Sequence, residues 1–174
     1  MKIEKIHHVA YRCRDAKETV EFYQKHLNMD FVLAISEDKV PSTGEPDPYI
    51  HIFMDAGQGN ILAFFELPNS PEMQKDPSTP DWVQHIAFQV ATMDELTETQ
   101  KKLTAAGIEV IGPTDHTIFQ SIYFFDPSGH RLELTTPTAT PKMMKDLDKI
   151  KWDMLNEWDK DKKVVTQASW LHSN

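Results

Sequence analysis

The sequence predicts an α+β fold made of two βαβββ modules in tandem, followed by a C-terminal helix. Three observations predict it. A strand-like stretch carrying a histidine occurs twice, in residues 5–13 and 82–90, so that His8 falls on His85, Val9 on Ile86, Ala10 on Ala87 and Tyr11 on Phe88. A helix-capping residue follows each histidine by seven positions, Asp15 in the first copy and Thr92 in the second. Each copy then closes on an apolar strand with an embedded carboxylate, Glu66 in the first and Glu133 in the second. A repeated unit of this kind sets the whole architecture.

The length suits one domain over residues 1–136, with module one at 3–67, a linker at 68–81, module two at 82–136 and a helical extension at 137–174. Hydrophobic residues at 40% and charged residues at 26% are an ordinary globular balance. A formal net charge of -9 argues against nucleic-acid binding, which asks for a basic face. No apolar run approaches a membrane span, and the first residues lack the apolar core of a signal peptide, so a cytoplasmic protein without membrane contact is expected. Cys13 is the only cysteine, which excludes an intrachain disulfide and a thiolate metal cluster.

Residues 5–13 alternate as a half-buried strand does. Val9, Tyr11 and Cys13 point one way; His8, Ala10 and Arg12 point the other and line a cavity. Asp15 caps a helix whose buried stripe is Ala16, Val20, Tyr23 and Leu27. A strand over 30–35 follows. Residues 36–48 hold three prolines and a glycine and read as a long irregular loop. Strands over 49–54 and 61–67 flank a turn at 55–60.

The second copy replays this order. Thr92 caps a helix marked by Met93, Leu96, Gln100 and Leu103, with Gln100 spoiling an apolar face, and Gly107 stops it. Strands are expected over 108–111, 121–125 and 131–134. Asp126-Pro127-Ser128-Gly129 carries the residues of a type I turn between the last two. Residues 142–159 form an amphipathic helix with Met143, Leu147, Ile150, Met154 and Trp158 on one stripe. That stripe would pack on the core, join a dimer or cover the site. The tail beyond it should be loose.

His8, Glu66, His85 and Glu133 thus occupy equivalent places in the repeat. If the modules pack about a pseudo-twofold axis, all four converge. Two imidazoles and two carboxylates suit one divalent ion, Zn, Ni, Mn or Fe, with positions left for water or substrate.

On the paired histidine strands, the Asp126–Gly129 turn and the two carboxylate strands, residues 5 to about 136 resemble the vicinal oxygen chelate superfamily. That family includes glyoxalase I, extradiol dioxygenases and antibiotic-resistance binders. The resemblance implies paired βαβββ modules curled round a metal, His8, Glu66, His85 and Glu133 as ligands, a small-molecule substrate and a homodimer. A full His/Glu/His/Glu set resembles bacterial glyoxalase I, a lyase or isomerase working through a metal-bound enediolate. Glu133 would then be the base, Glu66 its symmetric partner, and Arg12 would match a glutathione-contacting arginine. Asp81 and Ser70 depart from that enzyme's pattern.

The alternative is an Fe(II) extradiol dioxygenase, with His8, His85 and Glu133 as its triad and Tyr123 as an active-site tyrosine. Here Pro71 stands where that family's acid–base histidine lies, and His116 and His130 are expected to be solvated loop residues. A third class is a binder without catalysis. The sequence reading favours the lyase or isomerase.

Overall fold

In the computed structural model, residues 1–172 are described; of the expected C-terminal tail, Ser173 and Asn174 lie outside the described residues. The first module runs β1 (His8–Cys13), α1 (Ala16–Leu27), β2 (Asp30–Lys39), β3 (Pro46–Asp55) and β4 (Ile61–Glu66). The second runs β5 (His85–Gln89), α2 (Met93–Ala105), β6 (Ile111–Asp115), β7 (Phe119–Phe125) and β8 (Arg131–Pro137), and α3 (Pro141–Asp161) follows. The strands form two four-stranded sheets, in the orders β1-β4-β3-β2 and β5-β8-β7-β6. This is the α+β tandem βαβββ architecture expected from the repeat.

Local chemistry explains most boundaries. Asp15 is extended, and its side chain accepts from the Glu18 N–H at 2.7 Å. The helix it caps ends at Asn28, which adopts the left-handed conformation that asparagine tolerates. Thr92 caps α2 through the Glu95 N–H. Gln100 is accounted for by its amide, which donates to the Gly112 carbonyl at 2.8 Å.

Two boundaries differ from expectation. The loop over 36–48 shrinks to residues 40–45, because β2 and β3 continue as a hairpin with Ser36 opposite Ile50 and Glu37 opposite Tyr49. Pro46 opens β3, the position in a strand where proline costs no ladder bond. The expected strand over 108–111 is displaced to β6. Its pairing with β7 skips between Ile111 and Thr114, which accommodates Gly112 and Pro113 inside the strand.

Two compact units emerge, residues 1–86 with 124–132, and residues 87–123 with 133–172. In the first unit Tyr23, Ile52, Met54, Leu62 and Phe64 are fully covered, and the Tyr23 and Phe64 rings lie 5.1 Å apart. The tip of the β7–β8 hairpin belongs with this unit. Ser128 Oγ accepts from the Arg14 N–H at 3.0 Å, and His130 Nε2 donates to the Arg12 carbonyl at 2.6 Å. In the second unit Leu96, Leu103, Ile122 and Leu134 form the buried set. Helix α3 has no buried residue, and Met144, Trp152, Leu155 and Trp158 are exposed. No helix among the described residues is long and apolar enough to cross a membrane.

Gly112 sits at φ +111, and a Cβ there would fall 2.6 Å from the Ser121 carbonyl oxygen. Gly112→Ala should therefore lower stability by about 1–3 kcal/mol. A thermal melt unchanged from the parent would contradict this packing. Burial pushes the Cys13 thiol up to about 11. Cys13 should thus resist a thiol-specific disulfide reagent at pH 8 in the native protein and react once the chain is unfolded in urea.

Candidate active site

Strand alternation decides which side chains share a face, and in the first unit the outcome divides the proposed ligands. His8, Ala10 and Arg12 lie on one face of β1. The His8 ring centroid is 6.2 Å from that of His51 and 5.8 Å from that of Phe53, so β3 contributes to the same face. His51 in turn stacks on Phe65, with centroids 3.6 Å apart and planes at 15°. Burial, then the neighbouring His8, pushes the His51 pKa down. His8 Nδ1 is 2.8 Å from His7 Nδ1, one nitrogen donating and the other accepting. Arg12 donates from one terminal nitrogen to the Pro71 carbonyl at 2.6 Å.

Glu66 lies on the other face. Its register partner on β1 is the buried Cys13, and its strand neighbours Leu62 and Phe64 are buried on the α1 side. The Glu66 carboxylate accepts from the Ala16 N–H at 2.6 Å, which places it at the N-terminus of α1. A carboxylate there satisfies a helix N–H that has no intrahelical partner and meets the positive end of the helix dipole. The residue that faces the His8 side at this point of β4 is Phe65, which has no ligating atom. Glu66 and His8 are not brought together.

His85 opens β5 and lines a cavity of about 380 Å³ within the first unit, with Tyr11, His130, Phe125 and the linker residues Lys75 and Asp81 among its walls. His85 Nδ1 is 3.1 Å from the Val83 carbonyl. That contact makes Nδ1 the N–H and puts the lone pair on Nε2, the arrangement of a metal-binding imidazole. His130, expected to be solvated, is half-buried, its ring 5.1 Å from that of Tyr11. The Lys75 ammonium sits 5.0 Å from the Phe125 ring centroid and 3.1 Å from the Asp81 carboxylate.

Glu133 and Tyr123 both belong to the second unit, and both are buried. Glu133 accepts from Ser121 Oγ, which also reaches Thr135 Oγ1 at 3.1 Å. Tyr123 shares the Ser121 face of β7 by alternation, and its hydroxyl is 2.7 Å from His116 Nε2. His116 is thus part-buried and paired, not solvated. Ser121 had no signal in the sequence beyond its place two residues before Tyr123. His51 had one, its period-two spacing from Phe53, once the register of β3 was fixed.

A divalent ion is tested by the donors present. His85 fits in its tautomer, His8 and Glu133 fit in chemical type, and Glu66 does not fit, because its carboxylate is committed to α1. Among the described residues no group of three His, Cys, Asp or Glu is arranged to hold a metal ion. If Glu66 acts as a cap, Glu66→Ala should cost about 1 kcal/mol of stability and Glu66→Gln, which keeps an acceptor oxygen, clearly less. Metal content per chain should be the same in both variants as in the parent. Loss of metal without loss of stability would reverse the assignment.

Known proteins bear on this geometry. The chain is 26% identical over 136 residues to Uncharacterized protein YwkD of Bacillus subtilis (strain 168), covering 77% of this chain and 98% of that one. It is 27% identical over 138 residues to Putative ring-cleaving dioxygenase MhqA of the same organism, covering 78% of this chain but 41% of that longer protein. Among solved structures, the fosfomycin resistance protein FosX from Listeria monocytogenes superposes with a TM-score of 0.56 at 22% identity, covering 81% of this chain and 98% of that one. A variant of that FosX was solved with Mn(II) and 1S,2S-dihydroxypropylphosphonic acid. The profile of one family matches residues 5–134. This chain belongs to the Glyoxalase/Bleomycin resistance protein/Dioxygenase superfamily.

Proposed function

We propose that the chain is a divalent-metal enzyme of this superfamily, acting as an extradiol-type dioxygenase on a small substrate with two vicinal hydroxyl oxygens. The observation that carries this reading is Glu66 bound to the Ala16 N–H. With Glu66 withdrawn, the four-ligand set of the lyase or isomerase reading loses a member, and the donors that remain are His8, His85 and Glu133. Two imidazoles and one carboxylate are the donor chemistry of non-haem Fe(II) oxygenases. When bound, the ion would act as a Lewis acid toward the substrate oxygens and leave positions for dioxygen. The likeness to MhqA supports the same class.

The chain's own contribution is proton handling. The Tyr123 hydroxyl and His116 Nε2, 2.7 Å apart, can pass a proton from hydroxyl to imidazole. Tyr123 takes a proton from a substrate hydroxyl as it gives its own to His116, so the substrate becomes an oxyanion while the phenol stays neutral. Ser121, itself in contact with the Thr135 hydroxyl, holds the Glu133 carboxylate and limits its rotamers.

A homodimer is proposed as well. Phe31, Val32, Leu33 and Ile35 are exposed on β2, an edge strand of the first sheet. Long apolar edges pair with another strand unless they are blunted. Sedimentation should give twice the chain mass of 20.1 kDa, and Leu33→Lys should return a monomer. A monomeric parent would refute this.

The test of function is oxygen uptake by anaerobically Fe(II)-loaded protein presented with catechols. The parent should consume oxygen, and Glu66→Gln should retain at least half of that rate. Tyr123→Phe should lose roughly a hundredfold in kcat, and His85→Ala should fail to retain iron. Absence of oxygen uptake, with zinc, nickel or manganese bound and lost in Glu66→Gln, would instead support the glyoxalase-type lyase or isomerase.

A further inference from the structure

Helix α3 carries a second apolar face that neither the proposed site nor the β2 edge uses. Met143, Leu147, Ile150 and Met154 are half-buried along one side of it. Met144, Trp152 and Leu155 are more than half exposed, and Trp158 is nearly so. At 3.6 residues per turn, the exposed set is centred roughly 100° round the helix from the half-buried one. Single exposed apolar side chains are ordinary. Four on one helix face, two of them tryptophans, mark a surface that another body covers.

The seam of that face runs Met144, Asp148, Lys151, Leu155 and Trp158, spaced four, three, four and three residues apart. This is the spacing at which two helices pack side by side. Its first four positions read apolar, acid, base, apolar, an order that becomes its own complement on reversal. An antiparallel copy whose twofold axis passes between Asp148 and Lys151 sets Met144 against Leu155 and Asp148 against Lys151, each twice. Trp158 then meets Pro141 at the start of the other helix. A parallel copy would set Asp148 on Asp148 and Lys151 on Lys151, like charges in contact.

Charge selects the occupant. Asp148 and Lys151 are paired within the helix, as are Asp159 and Lys162 at its end, so the seam offers no net charge. In a chain of net charge -9, a neutral face is not drawn to an anionic lipid surface or to nucleic acid. The reversed copy matches the order of acid and base and supplies apolar surface to the tryptophans. The contact is small: the exposed side chains offer roughly a few hundred Å² per copy, below the ~800 Å² per partner of a standard interface. Such a contact forms only at high protein concentration.

We propose that the exposed face of α3 docks antiparallel on α3 of a second copy of this chain. The contact is separate from pairing through β2 and independent of the chemistry at the site.

The experiment is analytical ultracentrifugation of the full chain carrying Leu33→Lys, which removes β2 pairing, from about 1 µM to about 1 mM. The mass should rise from one chain to two across that range. Lys151→Asp sets acid on acid and Asp148→Lys sets base on base, and each should weaken the association at least about tenfold. Combining Asp148→Lys with Lys151→Asp restores opposite charges and should bring the association back to within about threefold of its original strength. Leu155→Glu should leave one chain at every concentration. Circular dichroism establishes that α3 stays helical in each variant. A mass fixed at one chain, an association unchanged in helical Lys151→Asp, or a double exchange as weak as the single ones would overturn the proposal. So would a mass fixed at one chain together with a blue shift of tryptophan fluorescence on phosphatidylcholine vesicles, which makes a neutral membrane the occupant. An unsubstituted chain that is already single at dilution refutes the β2 pairing alone.

Discussion

The carboxylate of Asp126 is the constraint on which the first unit depends. It is buried, and it accepts from the Ser128 N–H at 2.9 Å, the His130 N–H at 2.8 Å and the Tyr23 hydroxyl at 3.1 Å. Burial pushes its pKa up, while the nearby His130 charge and these donors oppose the rise. A buried carboxylate is tolerated only with such a full set of partners. The consequence is topological: a turn from late in the chain is fastened to α1 through Tyr23, to β1 through Arg12, and to the β1–α1 connection through Arg14. That fastening forms one wall of the cavity lined by His85 and His130.

A second constraint is the period of two along each strand, which turns a one-residue difference into a change of face. In β4 it separates Phe65, stacked on His51, from Glu66, seated on the α1 N-terminus. A carboxylate at the end of an apolar strand has two stable uses, as a ligand on the His8 face or as a cap on the α1 face. The helix that follows β1 presents unpaired N–H groups close to Glu66, and the cap is the use that this chain makes. Under the proposed ligand set, this one choice is what distinguishes four available donors from three.

The second unit handles its polar residues differently. Glu133 is enclosed with Ser121 and Thr135, and Tyr123 is closed off with His116. Hydrogen bonds in such surroundings are stronger than in water and hold their donors and acceptors in one geometry. A preorganised phenol–imidazole pair can therefore move a proton without first rearranging solvent.

The sequence by itself determined the architecture. The doubled histidine strand, the caps at Asp15 and Thr92 and the Asp126–Gly129 turn are local signals, and each depends on residues a few positions apart. It also determined that His8, Ala10 and Arg12 share a face, because alternation within one strand needs no partner. It did not determine the face of Glu66, the length of the β2–β3 hairpin or the partners of His116 and His130. Those depend on register between strands and on which backbone groups of other elements arrive nearby. Tyr49 against Glu37, Ala16 against Glu66 and Arg12 against His130 are contacts between residues distant in sequence. Only the tertiary structure brings such groups within hydrogen-bonding distance, and burial then makes the pairing obligatory.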